Sequence, residues 1–266
     1  MGEARLKLAP ATHAFARNIH HRVREENRMH EFRIDDDAIA HIYLDDGKAN
    51  VLNDASCAAL RDGIDAAGDA SARALVIHGK EKTFSAGIDL TMVREPDPVK
   101  RSATLSNVAH TMLAVWTAPI PTIAAVTGHA IAGGAILAMA CDRRIGVKGE
   151  FKLGINETRL KMVFPTWAIV IAKAGLRPSS WNQVILEGNL FSPEDAVRFG
   201  ILDEAVEIDD HGQTVAQLAL ELSQIPTGAY AGNKDLLRGV EARRASALVA
   251  QEMGAGFASD QIGQSK

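Results

Sequence analysis

The chain has 266 residues, 47% hydrophobic and 23% charged, with a formal net charge of −4. That length allows one large domain or two small ones, and the apolar share supplies a sizeable core. A mildly acidic chain without a basic stripe lacks the electrostatic footprint of a nucleic-acid binder. Its two cysteines, Cys57 and Cys141, sit in apolar surroundings and make no disulfide framework, which fits a reducing compartment such as the cytoplasm. No CxxC or His/Cys cluster implies a metal, and the adjacent His20 and His21 read as solvated tail.

Residues 1–28 differ from the rest. Arg5, Lys7, Arg17, Arg22, Arg24 and Arg28 stand against Glu3, Glu25 and Glu26. No apolar run of a secretory signal is present, and the acids weaken a transit-peptide reading, so the stretch reads as a flexible extension. Met29 opens the globular part. A strand is expected over 38–44 (AIAHIYL), with Asp45-Asp46-Gly47 as the turn of a hairpin into KANVLN, 48–53. Asn53 or Asp54 caps a helix over 55–67. ALVIHG, 74–79, is an apolar strand, followed by the Gly-containing loop TFSAGIDL, 83–90. A helix starts at Pro98 and ends before Pro119 and Pro121.

Residues 122–142, TIAAVTGHAIAGGAILAMACD, carry no charge before Asp142. A helix over that run would reach across a bilayer core. Gly128, Gly133 and Gly134 argue instead for a strand, a Gly loop and a helix N-terminus. Such an N-terminus offers unpaired N–H groups and a positive dipole end to an oxygen that gains charge.

Beyond Asp142, RRIGVK reads as a strand and FKLGINETRL, 151–160, as a Gly-punctuated loop or short strand carrying Glu157. Helices are expected over 165–175, 179–188 and 192–200, the last with Ser192 as cap and Gly200 after its end. ILDEAVEI returns as a strand, and residues 212–266 are largely helical. Strand and helix alternate to about 207, which argues α/β. No fixed-period repeat or low-complexity linker appears. The chain divides into the extension 1–28, a core 29–207 and a helical region 208–266.

FSAGIDL and HAIAGG each follow a predicted strand. Neither matches GxGxxG or a P-loop, and Ser85 lacks the GxSxG elbow. Taken together, HGKEKTFSAGIDL, TGHAIAGGAILAMACDRRI and SPEDAVRFGILDEAVE resemble, in order and spacing over roughly 30–262, the signature of the crotonase, or enoyl-CoA hydratase/isomerase, superfamily. The resemblance implies a spiral of ββα turns with a C-terminal helical region, assembly as a homotrimer or pair of trimers, and an acyl-CoA thioester as substrate, with no separate cofactor. For a eukaryotic chain it also admits a mitochondrial or peroxisomal location. It implies an enolate-like oxyanion held by two backbone N–H groups, those of Ile88 and Gly133. The CoA moiety would run past Lys48, Ala49, Ser85 and Ala86, with Phe257 packing nearby.

Hydratases of this superfamily use two glutamates. The first position is Ile136 here, which transfers no proton; the second is Glu157. Shifting a double bond needs one base that also returns the proton, and an apolar Ile136 helps to exclude water. LGINETRLKMVFPTW also resembles the segment of mitochondrial-type Δ3,Δ2-enoyl-CoA isomerases that carries a single catalytic glutamate, which makes Trp167 a lining residue of the acyl pocket. Burial would raise the Glu157 pKa toward neutrality. His129 reads as a satisfied strand-end histidine and Glu150 as a surface acid. The rival readings are a hydratase or another crotonase-type reaction (dehydratase, hydrolase), and a non-catalytic CoA- or RNA-binding homologue.

Overall fold

Three apolar runs form the middle of the main sheet: β4 (Ala74–His78), β7 (Thr122–Val126) and β9 (Arg143–Val147). All five residues of β7 are buried, the pattern of a parallel strand covered on both faces. The computed structural model describes residues 30–254, so the 1–28 extension and Phe257 lie outside the described residues. Before β4 come β1 (His30–Ile34), β2 (Ile39–Leu44), β3 (Val51–Leu52) and helix α1 (Asp54–Asp69). After it come β5 (Lys82–Ser85), β6 (Gly87–Ile88), and helices α2 (Leu90–Val93) and α3 (Pro98–Thr117). After β7 follow β8 (Gly128–Ile131) and α4 (Gly133–Ala140). After β9 follow β10 (Leu153–Gly154), α5 (Thr166–Gly175), α6 (Pro193–Phe199), β11 (Glu204–Val206), and the terminal helices α7 (Ile208–Ser223), α8 (Thr227–Lys234) and α9 (Val240–Gly254).

The large sheet has the order β1-β2-β4-β7-β9-β11, parallel except for the β1–β2 pair. A smaller parallel sheet, β10-β8-β5, and the pair β3-β6 stand apart from it. Each turn of chain thus leaves a strand in the large sheet, crosses to a small one, and returns through a helix. This is the ββα spiral with a C-terminal helical region. Its turns begin at residues 39, 74, 122 and 143, unevenly spaced, so no sequence period exists to be read.

Two local expectations are corrected. Asp45-Asp46-Gly47 does not turn a hairpin; the antiparallel partner of β2 is β1, on its other side. The Asp46 carboxylate instead accepts N–H bonds from Lys48, Asn50 and Val51, which redirects the chain so that β3 pairs in parallel with β6. The helix expected over 179–188 is broken into a 3-10 turn, Pro178–Ser180, and a π turn, Asn182–Leu186. Elsewhere the cap chemistry holds. Asn53 and Ser56 form a reciprocal capping box on α1, and the Ser192 hydroxyl accepts the Asp195 N–H. Gly200 ends α6 in the left-handed conformation.

The uncharged run 122–141 is split among β7, β8 and α4, and no described helix is long and apolar enough to cross a membrane. Both cysteines are buried and free.

Candidate active site

The small sheets bring the two Gly loops together. Gly87, at φ +92°, carries the chain around the end of β5; a Cβ there would stand 2.9 Å from Ile131 O and 3.0 Å from Gly133 N. Gly134, the second residue of α4, lies against the β5 backbone, where a Cβ would stand 2.2 Å from Ser85 O. Neither position admits a side chain, which places the Ile88 and Gly133 backbones side by side.

Each of their N–H groups is left without a strand or helix partner for a separate reason. The Asp89 N–H bonds Leu52 O in β3, so strand alternation turns the Ile88 N–H away from β3. Gly133 is the first residue of α4, where helix geometry provides its N–H with no carbonyl partner. Between the loops lies Ala132, at φ +54° and ψ −129°, a region natural to glycine. Holding an alanine there costs about 1–3 kcal/mol. Its N–H donates to Gly154 O at 2.8 Å and its carbonyl accepts from Ala135 and Ile136. Nothing in the sequence marks this strained residue, because alanine has no marked turn preference.

A cavity of about 180 Å³ opens beside the two donors. Ala86, Ile88, Gly133, Ile136, Glu157 and Trp167, all expected in the site, line it. Leu90, Asn156, Leu160, Met162 and Phe164 line it too and were not foreseen; the mostly apolar LKMVF run after Glu157 was the available signal for the last three. Ile136 and Trp167 are almost wholly buried. Glu157 opens a 3-10 turn, Glu157–Leu160, and is itself 8% exposed although the next three residues are exposed. Its Oε2 has no partner. Burial among apolar side chains pushes its carboxyl up to about 7, against a smaller opposing effect of its own backbone N–H. Among the described residues lining the cavity, it is the only ionisable one.

Of the expected CoA contacts among the described residues, Ala86 lines the cavity and Lys48, Ala49 and Ser85 lie outside it. Lys48 is exposed, and Ala49 O accepts the Ala86 N–H, so the two stretches are neighbours. The Ser85 side chain plays a structural part. It is fully buried and its hydroxyl is used within the fold, donating to Asn50 O at 2.6 Å and accepting from Gly87 N at 3.2 Å. It ties the loop rather than presenting a group to a ligand. His129 Nδ1 accepts the Lys152 N–H at 3.0 Å and its ring meets Phe151 edge-on, as a satisfied structural histidine does. Glu150 is exposed and does not reach the cavity. No group of three or more metal-ligating side chains occurs among the described residues.

A raised carboxyl couples the site to stability. The folded chain keeps a proton on Glu157 between its ordinary value of 4.5 and about 7, while the unfolded chain does not. Stability from this group is therefore complete below the unfolded pKa and falls as pH climbs through 7, by roughly 3 kcal/mol in all. Melting curves taken from about pH 5 to pH 8 should show Glu157→Gln gaining on wild type as pH rises. A constant gap across that range would contradict the buried, proton-retaining carboxyl.

The comparisons with known proteins agree with this geometry. The family model described as enoyl-CoA hydratase/isomerase matches residues 35–257. The chain is 28% identical over 158 residues to mouse mitochondrial enoyl-CoA delta isomerase 1, covering 58% of this chain and 54% of that protein, about half its length. It is 28% identical over 207 residues to a putative enoyl-CoA hydratase of Thermus thermophilus, covering 75% and 80% of the two chains. The crystal structure of an enoyl-CoA hydratase/isomerase family protein from Pseudomonas syringae superposes with a TM-score of 0.80 at 27% identity, covering 85% of this chain and 96% of the other. With the matched region, the spiral fold and the paired Gly loops in agreement, this chain belongs to the enoyl-CoA hydratase/isomerase family of the crotonase superfamily.

Proposed function

We propose that the chain is an enoyl-CoA isomerase that converts a 3-enoyl-CoA to the 2-enoyl-CoA. The observation that carries the reading is Glu157, the single ionisable side chain among the described residues lining the cavity, with the buried Ile136 at the position where hydratases carry their other glutamate. The thioester oxygen sits between the N–H groups of Ile88 and Gly133. The Glu157 carboxylate takes the proton from the carbon next to the thioester. The electron pair passes to the thioester oxygen, and the dienolate is held by the two donors and the α4 dipole. The protonated Glu157 then returns its proton to the γ-carbon, and the electrons collapse into the 2,3 double bond. One group serves as base and acid, and no water is consumed. Lys48, Ala49, Ala86 and Phe257 are proposed to flank the CoA moiety, which enters as part of the substrate. Assembly as a trimer or pair of trimers goes with this reading. The mouse relative is named an isomerase and the T. thermophilus relative a putative hydratase; the absence of a second carboxylate among the described residues lining the cavity favours the first reaction.

The base must be ionised to start the reaction. With the carboxyl pushed up to about 7, kcat/KM should rise with pH as a single ionisation centred near neutrality and level off above it. A profile flat from about pH 5 to pH 9 would remove Glu157 from the chemistry.

A further inference from the structure

Among the described residues no other residue grips the Glu157 carboxylate: Oε2 has no partner, and burial outweighs the hydrogen bond from its own backbone N–H. The turn that carries it has its remaining three residues on the surface, so apolar packing of those side chains does not fix it. The hydrogen bonds of the next two side chains all run to one segment. The Thr158 hydroxyl donates to Ile185 O at 2.9 Å. Arg159 Nε donates to Gly188 O at 3.0 Å, and Arg159 Nη2 to Asn189 Oδ1 at 2.5 Å. Asn189 Nδ2 in turn donates to Glu187 Oε2 at 2.9 Å, which fixes the amide's orientation. Gly188 lies against the turn, its Cβ position 3.2 Å from Arg159 Cγ and 3.5 Å from Asn156 Cα. On the other side of the turn, Leu153 and Phe191 exchange two backbone hydrogen bonds.

From this geometry we infer that segment 185–191 is a splint for the base, and that Arg159, clasping Gly188 and Asn189, is a positioning residue for Glu157. Arg159 does not line the cavity, so it acts through the turn and not on the substrate. Its guanidinium supplies two donors in a fixed fork, and an ammonium cannot reproduce both bonds. The charged groups at the clasp are Arg159 and Glu187. Without the clasp, the turn moves and the carboxyl reaches water. The role in catalysis rests on the isomerase reading; the splint itself does not.

Arg159→Met keeps most of the stem and removes the fork. It should lower kcat by about 10- to 100-fold, the cost of displacing a reacting group by about an ångström, with KM nearly unchanged. The midpoint of the pH–rate profile should move toward ordinary carboxylate values. Arg159→Lys should recover part of kcat, and Asn189→Ala combined with Arg159→Met should lose less than the product of the two single losses. A merely structural arginine would lower the melting temperature and leave the midpoint in place. That outcome, or wild-type kcat in a folded Arg159→Met, overturns the inference. The carboxyl of Glu157, carbon-13 labelled and titrated by NMR without substrate, separates the two claims. If it shifts in Arg159→Met while neither protein isomerises 3-enoyl-CoA, the splint stands and the isomerase reading falls. If it does not shift, the splint falls whatever the activity.

Discussion

Glu157→Gln should abolish double-bond isomerisation while leaving the fold intact. The amide is close to isosteric and buries no charge, so nothing in the apolar cavity resists it. It cannot accept the α-proton, and no other ionisable side chain among the described residues lines the cavity to take over. A positioned general base contributes on the order of 10²–10⁴-fold, and here one group serves both half-reactions, so the loss should lie at the upper end. Binding should survive, because the two oxyanion donors belong to the backbone. The variant should therefore hold acyl-CoA ligands with near wild-type affinity by calorimetry. A variant with a tenth or more of wild-type kcat would show that the proton travels by another route.

The second large effect is on stability. Asp142→Asn should cost about 3–5 kcal/mol, read as a lower denaturation midpoint. Asp142 follows α4 and is nearly buried. Its carboxylate accepts the Thr122 N–H at 2.8 Å, the Thr122 hydroxyl at 3.0 Å, Lys234 Nζ at 2.7 Å and Arg238 Nη1 at 2.7 Å. Burial alone would raise its pKa, but Lys234 and Arg238 hold it below the usual carboxylate range. The pair of cations comes from α8 and the π turn after it, so this cluster fastens the C-terminal helices to the sheet. Asparagine would leave the buried Lys234 and the half-buried Arg238 without their counter-charge. The sign of the pH dependence follows. A lowered carboxyl contributes stability above its unfolded pKa and loses it as pH falls through the folded value. The difference between wild type and Asp142→Asn should therefore shrink in acid. A variant as stable as wild type at pH 7 would mean that packing, and not the ion cluster, docks the tail.

Much of the site was legible because its parts are local. A strand, a glycine pair and a helix former in succession announce a helix N-terminus, and α4 follows there, taking both glycines of the expected loop into its first turn. Glu157 and Ile136 were legible only by their registration in a resembling motif, since one acid and one isoleucine carry no signal alone. Long-range pairing hid the rest. β5 and β6 were read as loop because their partners, β8 and β3, lie far along the chain. β1 was missed because its short half-exposed alternation, HEFRI, becomes a strand only against β2. The helix expected at 179–188 failed where the Ile185 carbonyl is taken by the Thr158 hydroxyl and Gly188 adopts a positive φ. Asp142 stood in plain view, but its partners lie some ninety residues later, and no spacing rule joins them.

The central claim is one acid and no activated water. It is tested most directly by product analysis of wild type and Glu157→Gln with trans-3- and trans-2-enoyl-CoA. Wild type should convert the 3-enoyl thioester to the 2-enoyl thioester, and leave the 2-enoyl thioester largely unhydrated; the variant should do neither reaction. Efficient formation of the 3-hydroxyacyl thioester by wild type, or undiminished turnover by the variant, would contradict the account and require a second acid from outside the described cavity.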